Sequence, residues 1–128
     1  MADIFGIGVD VVEIGRVAQL RQRHGEKFYH MIFLREEAAY CLARAKPDEC
    51  FAARFAAKEA MMKAMGTGWA EGVAFTGIEV VNLPGGKPVI RLHGSTRDKA
   101  AELGIGTIHL SLSHSNETAI AQVVAEKA

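Results

Sequence analysis

Glu59 and Lys63 are the residues whose types and spacing first point to chemistry. They lie on a helix that the sequence predicts over residues 51–68, a segment rich in Ala and Met. Helical periodicity places both charges on one face with Phe55 and Met62. One interpretation is a surface ion pair worth roughly a few tenths of a kcal/mol. The other is a carboxylate in a tight apolar setting that needs a cation, for which a metal ion would serve.

Asp10 is a second acid in an unusual position. It follows Gly6 and Gly8 on one side of a strand predicted over residues 4–12, so backbone, a ligand or another chain could approach closely there. The alternative is that Asp10 caps the next helix. The glycines do not form a dinucleotide-binding motif, because Val11 stands where the third glycine of GxGxxG would be.

A basic helix face follows this strand. The pattern predicts a helix over residues 12–24, with Arg16, Leu20 and Arg23 along one face and Arg21 beside them. This face is either solvated surface or a small basic platform with an apolar centre. Such a platform would suit an acidic protein partner.

The remaining elements surround the long helix. Hydrophobic and turn patterns predict a helix over 33–45, a hairpin of strands 75–83 and 88–92, a helix over 95–103 capped by Ser95, and a hairpin of strands 107–113 and 118–125. On the long helix, Arg54 and Lys58 lie one turn apart and could hold phosphates or be solvated. His109 and His114 face opposite sides of their strand, so one strand cannot present both to a single metal ion.

Composition limits the class of protein. The 128 residues fit a single domain, 1–128, and 15 Lys and Arg against 15 Asp and Glu argue against a general nucleic-acid binder. Cys41 and Cys50 form no CxxC motif, so we expect two buried or half-buried thiols in a reducing compartment. The first residues do not resemble a signal peptide, and no apolar run is long enough to span a membrane. The expected location is cytoplasmic.

Four stretches together resemble the holo-[acyl-carrier-protein] synthase family, the small 4′-phosphopantetheinyl transferases of bacterial fatty-acid synthesis. The resemblance runs nearly end to end, and its order and spacing make it specific. One departure is Leu34, where such proteins often carry Thr or Ser. The four stretches are GIGVD at 6–10 with Ile14 and Arg16, FLREEAAYC at 33–41, RFAAKEAMMKAMGTG at 54–68 and LSLSHSNETAIAQVV at 110–124.

The resemblance implies a fold and a reaction. The fold is α+β, with a small antiparallel sheet of two hairpins plus an N-terminal strand packed on a long central helix. The reaction moves 4′-phosphopantetheine from coenzyme A to a serine of apo-acyl carrier protein and releases adenosine 3′,5′-bisphosphate. Compact members are homotrimers with active sites between neighbouring subunits, so we expect the same assembly here.

The resemblance also assigns roles to residues. Asp10 and Glu59 match the family's metal carboxylates, and oxygen ligands suit Mg²⁺. Lys63 matches a lysine that stabilises charge on the pyrophosphate, with proton donation to the leaving group left open. For the base that accepts the serine proton, Glu59 or a magnesium-bound water is favoured over His114. The expected coenzyme A residues, beside Lys63, are Lys46 for the 3′-phosphate and Arg54, Gly66, Ser113 and His114. The expected carrier-binding residues are Arg16, Leu20, Arg21 and Arg23.

Two other functions fit the same residues less completely. A magnesium-dependent hydrolase of a nucleotide pyrophosphate would use Asp10, Glu59 and Lys63 with water as the nucleophile. A non-catalytic module could bind acidic proteins through Arg16 and Arg21. The presence of two acids and a lysine argues against the module.

Overall fold

The structure is a computed structural model that describes residues 3–128. One strand is followed by four helices, and two hairpins joined by a fifth helix complete the chain. In chain order the elements are β1 (Ile4–Glu13), α1 (Ile14–His24), α2 (Glu26–Ile32), α3 (Arg35–Leu42), α4 (Pro47–Met65), a 3-10 turn (Phe75–Gly77), β2 (Ile78–Asn82), β3 (Pro88–Leu92), α5 (Gly94–Leu103), β4 (Ile105–His114) and β5 (Thr118–Lys127).

The strands form two antiparallel sheets. The first has the order β1-β5-β4, and it joins the N-terminal strand to the C-terminal hairpin. The second consists of the β2-β3 hairpin alone. The predicted α+β class and both predicted hairpins are confirmed, and the sheet of the prediction is divided in two.

Two glycines let α4 pack directly on β1. A Cβ atom at Gly8 would lie 1.8 Å from the carbonyl oxygen of Ala60, and one at Gly6 would lie 2.1 Å from that of Ala64. Only a strand without side chains at these positions can accept the helix backbone so closely. The close approach predicted near Asp10 is therefore that of the chain's own helix, and it brings Asp10 beside the second half of α4.

The core has two parts, both built on α4. Small and flexible side chains of the helix pack against β5, where alanines and Val123 are completely buried. Near the start of the helix, Phe51 forms edge-on contacts with Phe28 and Phe33, at ring-centre distances of 6.1 Å and 5.0 Å. The helix is buried around most of its circumference, which is why it lacks a clear polar face.

A buried ion pair ties α4 to α3 and β2. Lys58, fully buried, donates to the Glu37 carboxylate at 2.7 Å and to the carbonyl oxygens of Phe75 and Ile78. Glu37 also accepts the backbone N–H of Val80 at 2.8 Å and that of Leu34 at 2.9 Å. Lys58 is thus a structural residue rather than a solvated one or a phosphate ligand.

The two cysteines are joined, which corrects the prediction of free thiols. A disulfide connects Cys41 at the end of α3 to Cys50 in the first turns of α4. Cys41 is buried and Cys50 is half-buried, as expected, but neither is a thiol. The argument for a reducing compartment from these residues therefore no longer holds, and the cytoplasmic location stays a prediction.

Several element boundaries also differ from the prediction. The helix α2 was not predicted, because its seven residues follow Gly25 in a left-handed conformation and form less than two full turns. Residues 75–77 form a 3-10 turn instead of the start of a strand. Ser95 is not a cap: α5 begins after His93, and the Ser95 hydroxyl donates to the Gly72 carbonyl oxygen at 2.7 Å.

Candidate active site

Asp10, Glu59 and Lys63 form one charged cluster between β1 and α4. The Lys63 ammonium donates to Asp10 Oδ1 and to the Val9 carbonyl oxygen, both at 2.9 Å. Lys63 thus reaches back to the strand instead of acting only as a surface partner of Glu59. Asp10 lies within β1, four residues before the start of α1, so it does not cap that helix.

The environment of Glu59 raises the pKa of its carboxyl group. Burial, followed by the nearby Asp10 charge, raises the pKa of the half-buried Glu59 carboxyl. Lys63 and the Trp69 indole act in the opposite direction without reversing the shift. Two adjacent carboxylates with one ammonium leave an unbalanced negative charge when both acids are ionised.

This donor set fits Mg²⁺ rather than a protein-caged metal. Among residues 3–128 there is no cluster of three or more His, Cys, Asp and Glu side chains that could hold a metal ion. Mg²⁺ commonly uses one or two carboxylates and fills its remaining positions with water and substrate oxygens. Asp10 and Glu59 are such a pair, and a divalent cation between them would relieve the repulsion of their negative charges.

A cleft connects this cluster to the basic helix. Its volume is about 360 Å³, and its walls include Asp10 and Glu59 on one side and Arg16 and Leu20 of α1 on the other, with Phe55 between them. Arg16 and Arg23 are exposed on α1, and Leu20 is half-buried. A group bound at the α1 surface can therefore reach the two carboxylates without leaving the cleft.

Arg21 departs from the predicted basic surface. Its guanidinium forms an ion pair with Asp48 and lies 4.7 Å above the ring centre of Phe51. It also donates to the Tyr29 hydroxyl at 3.3 Å. Because these contacts turn Arg21 toward α2 and α4, it holds the helices together instead of lining the exposed face with Arg16.

A second cleft gathers most of the predicted coenzyme A residues. It has a volume of about 530 Å³ and contains Lys46, Arg54, Ser113 and His114. Its walls also contain four polar residues that the sequence analysis did not single out. Of these, Arg44 could have been found from its closeness to Lys46 in the sequence. These four are Tyr40, Arg44, Glu49 and Asn82.

Arg54 is the most constrained cation of this cleft. It is almost fully buried, donates to Asn82 Oδ1 at 2.7 Å, and lies 4.4 Å above the Tyr40 ring centre. Its Nε atom is buried without a hydrogen-bond partner. The exposed ammonium of Lys46 and the His114 ring, 3.8 Å from Glu49, complete a wall suited to phosphates.

The two clefts are separate within one chain. The thirteen residues from Pro47 to Glu59 span about 20 Å of helix, and Arg54 and Glu59 point about 140° apart around its axis. Gly66 is in neither wall; it ends α4 in a left-handed conformation with φ of 78°. One chain therefore presents the two acids and the basic helix in one cleft and Lys46, Arg54 and His114 in another, and the two clefts share no lining residue.

The outer face of the three-stranded sheet carries a row of exposed apolar side chains along β1. Ile7, Val9 and Val11 of β1 are each more than half exposed, and Ile120 of β5 lies opposite Val11. A contiguous row of exposed β-branched residues on a sheet is a typical protein–protein interface.

Comparison with known proteins identifies the family. A sequence model of the 4′-phosphopantetheinyl transferase superfamily matches residues 6–123. The chain belongs to this superfamily. A holo-[acyl-carrier-protein] synthase of Koribacter versatilis is 46% identical over 123 residues, covering 96% of this chain and 98% of the relative.

Solved structures of phosphopantetheinyl transferases share the whole fold. The holo-[acyl-carrier-protein] synthase of Neisseria meningitidis superposes with a TM-score of 0.90 at 38% identity, covering 97% of this chain and 99% of that one. A holo-(acyl-carrier-protein) synthase of Bacillus anthracis in complex with CoA (3′,5′-ADP) gives a TM-score of 0.82 at 36% identity, with both chains fully covered. Among the helices within residues 3–128, none has the length and apolarity needed to cross a membrane.

Proposed function

We propose that this chain is a holo-[acyl-carrier-protein] synthase, which transfers 4′-phosphopantetheine from coenzyme A to a serine of an apo-acyl carrier protein in fatty-acid biosynthesis. The observation that carries the proposal is the Asp10–Glu59–Lys63 cluster in a cleft shared with the basic helix α1. In a phosphopantetheinyl transferase, this arrangement would put the acids between an acceptor protein on α1 and the diphosphate donor.

The reaction is a phosphoryl transfer whose atoms balance without a further reactant. The serine hydroxyl oxygen forms a bond to the phosphorus that carries the pantetheine arm. The bond from that phosphorus to the bridging oxygen breaks, and adenosine 3′,5′-bisphosphate leaves with the electron pair. The serine proton passes to a base, and an ammonium near the leaving phosphate offsets its growing charge.

Asp10 and Glu59 are proposed to hold Mg²⁺, which when bound neutralises charge on the diphosphate. Lys63 supplies a positive charge at the edge of the same site, and its half-exposed ammonium is accessible to a phosphate oxygen. Of the candidate bases, Glu59 lies in the cleft that reaches α1, whereas His114 lies in the other cleft beside Glu49. This favours Glu59, or water held next to it, for the serine proton.

The separation of the two clefts supports an assembly of several chains. We propose a homotrimer in which the phosphate cleft of one chain, with Lys46, Arg54 and His114, faces the Asp10–Glu59 cleft of a neighbour. The exposed row of Ile7, Val9, Val11 and Ile120 offers a surface for such contacts. Coenzyme A would then lie across the boundary between two subunits.

The decisive experiment incubates the protein with coenzyme A, Mg²⁺ and an apo-acyl carrier protein and weighs the carrier by mass spectrometry. We expect the carrier to gain one phosphopantetheine, and chelation of the metal to prevent this. Asp10→Asn and Glu59→Gln should abolish the gain while the circular dichroism spectrum is unchanged. Phosphopantetheine released without a carrier would instead indicate the hydrolase, and a bound but unmodified carrier would indicate the non-catalytic module.

The carrier surface is tested with a charge reversal. Arg16→Glu with Arg23→Glu should raise KM for the carrier at least about tenfold, since each loses an attraction to an acidic partner, and leave coenzyme A affinity unchanged. The matched control is Arg91→Glu with Arg97→Glu, which makes the same charge change at exposed positions on β3 and α5. An equal rise in carrier KM for both pairs would show that only net charge matters.

A further inference from the structure

Trp69 is a large aromatic side chain held at the surface beside the charged cluster. It is the single tryptophan of the chain and is 69% exposed. Its indole lies against Glu59. Burial of this large apolar surface against a ligand would be favourable, so an exposed aromatic residue beside the charged cluster is a candidate binding residue.

The segment that carries Trp69 is fixed in place by its neighbours. After α4 ends, the N–H of Ala70 donates to the Thr67 carbonyl oxygen at 3.2 Å, which closes a turn around Trp69. The Ala74 N–H donates to the buried Thr96 hydroxyl at 3.1 Å. Glu71 adopts a left-handed conformation with φ of 62°, which is uncommon for a residue other than glycine. The position of the indole is thus set by the local fold.

Trp69 extends an aromatic row that begins in the cleft of the two acids. Its ring meets that of Phe75 edge-on at 5.1 Å, and Phe75 lies 5.5 Å from Phe55. Phe55 is itself part of the wall shared by Asp10 and Glu59. The row therefore connects the cleft of the two acids, through Phe75, to the exposed indole of Trp69 beyond the C-terminal end of α4.

Transfer geometry limits the directions open to the pantetheine arm. The attacking serine oxygen and the leaving oxygen lie roughly in line through phosphorus, and the arm is attached at an angle to that line. The serine arrives from the α1 side, and the nucleotide extends to the phosphate cleft. The carbon next to the arm's first methylene carries two methyl groups, so the part of the arm nearest to the phosphate is branched and apolar.

We propose that Trp69 and Phe75 bind the dimethyl segment of the pantetheine arm and thereby distinguish coenzyme A from nucleotides that lack the arm. This inference rests on the proposed transferase function. It predicts that the aromatic pair contributes to affinity for coenzyme A and not to affinity for adenosine 3′,5′-bisphosphate, which shares the nucleotide but has no arm.

The test measures both ligands by calorimetry, with Mg²⁺, on the full chain and on Trp69→Ala and Trp69→Phe. Trp69→Ala should weaken coenzyme A binding about tenfold, as expected for the loss of roughly 55 Å² of apolar contact at about 25 cal/mol/Å². Binding of adenosine 3′,5′-bisphosphate should be unchanged, and Trp69→Phe should restore most of the loss. Equal weakening of both ligands, or of neither, would overturn the proposal.

Fluorescence of the unmodified protein gives a second readout that needs no variant. Because Trp69 is the single tryptophan, coenzyme A should shift its emission to shorter wavelength by excluding water, and adenosine 3′,5′-bisphosphate should not. Met31→Ala, at an exposed position of α2, is the matched control for binding. If the unmodified protein modifies the carrier but its emission responds equally to both ligands, the aromatic contact is wrong and the transferase function stands.

Discussion

At the scale of single residues, the site depends on two acids that the fold holds close together. Lys63 partly balances them by its 2.9 Å contact with Asp10, yet the pKa of Glu59 remains raised, chiefly by burial and then by Asp10. Such a group binds a cation more readily as pH rises. The proposed metal site should therefore lose its cation at a higher pH than a site built on a glutamate with an ordinary pKa.

The pH dependence follows from this direction. A raised carboxyl pKa means that Glu59 takes up a proton at a pH where an ordinary glutamate is still ionised. As the solution is acidified, Mg²⁺-dependent transfer should therefore begin to fall at a higher pH than the pKa of an ordinary glutamate would predict. Below the pKa that Glu59 has in the unfolded chain, its carboxyl is protonated and its contribution to the stability of the folded state is fully present. That contribution is lost as the pH rises through the higher pKa that Glu59 has in the folded state. Nuclear magnetic resonance titration of the metal-free protein measures the midpoint directly.

Asp10→Asn provides the comparison for that titration. It removes the neighbouring charge and releases Lys63, so the Glu59 midpoint should move down toward that of an ordinary glutamate. Asp98→Asn, at an exposed position on α5, should leave the midpoint in place. Identical midpoints in the unmodified protein and Asp10→Asn would mean that burial alone sets the Glu59 pKa.

At the scale of elements, the contact between β1 and α4 decides whether the two acids meet. Gly6 and Gly8 lie directly beneath the carbonyl oxygens of Ala64 and Ala60. Any side chain there would push the helix away from the strand, and Asp10 and Glu59 would separate with it. The glycines thus serve the site through packing, since neither contacts a ligand group.

Gly8→Ala should destabilise the protein by at least about 1–3 kcal/mol, because its Cβ meets backbone that cannot move aside as a side chain would. Gly15→Ala is the matched control: no atom lies within 4 Å of its Cβ, and alanine favours the α1 helix by roughly 0.5–1 kcal/mol. Urea unfolding measures both. Equal effects of the two substitutions would contradict the close packing of α4 on β1.

The buried Lys58–Glu37 pair makes a second prediction at this scale. Lys58→Met leaves the Glu37 carboxylate buried without its cation and should lower the free energy of unfolding by about 3–5 kcal/mol. Adding Glu37→Gln removes the charge and keeps an acceptor for the Val80 N–H, so the double variant should recover part of the loss. If the two losses simply add in urea unfolding, the pair is not coupled.

At the scale of the whole molecule, one chain has a complete fold but holds the residues of the proposed site in two separate clefts. The cleft of Lys46, Arg54 and His114 and the cleft of the two acids lie on different sides of α4, and none of residues 3–128 covers the exposed apolar row on the sheet. A second copy can resolve both features at once, by covering the row and by setting one cleft against the other. Assembly and activity should therefore be lost together.

Ile7→Lys with Ile120→Lys tests this link. Two charges in the apolar row should convert the proposed trimer to monomers in analytical ultracentrifugation and reduce transfer at least about a hundredfold, since coenzyme A would lose half of its site. Met31→Lys, which is exposed on α2 away from the sheet, should change neither property. A fully active monomer would show that a single chain suffices.

The sequence predicted local structure well where the pattern is long and regular. The strand before Asp10, the long helix and both hairpins are confirmed, with shifts of a few residues. The family is also confirmed, because its motifs span the chain. The predictions were wrong for short elements and for contacts between distant parts of the chain. The helix α2 was missed because it has only seven residues. Ser95 does not cap its own helix, because its hydroxyl donates to the Gly72 carbonyl oxygen instead.

The sequence by itself determined which residue types could do chemistry and which elements carry them, because helix and strand periodicity are local properties of the chain. Only the tertiary structure decided which of those residues meet. It joined Lys63 to Asp10, turned Arg21 inward to Asp48 and bonded Cys41 to Cys50. Each of these pairs brings together residues on different elements, and their contact depends on how α4 packs against its neighbours, which no local pattern records.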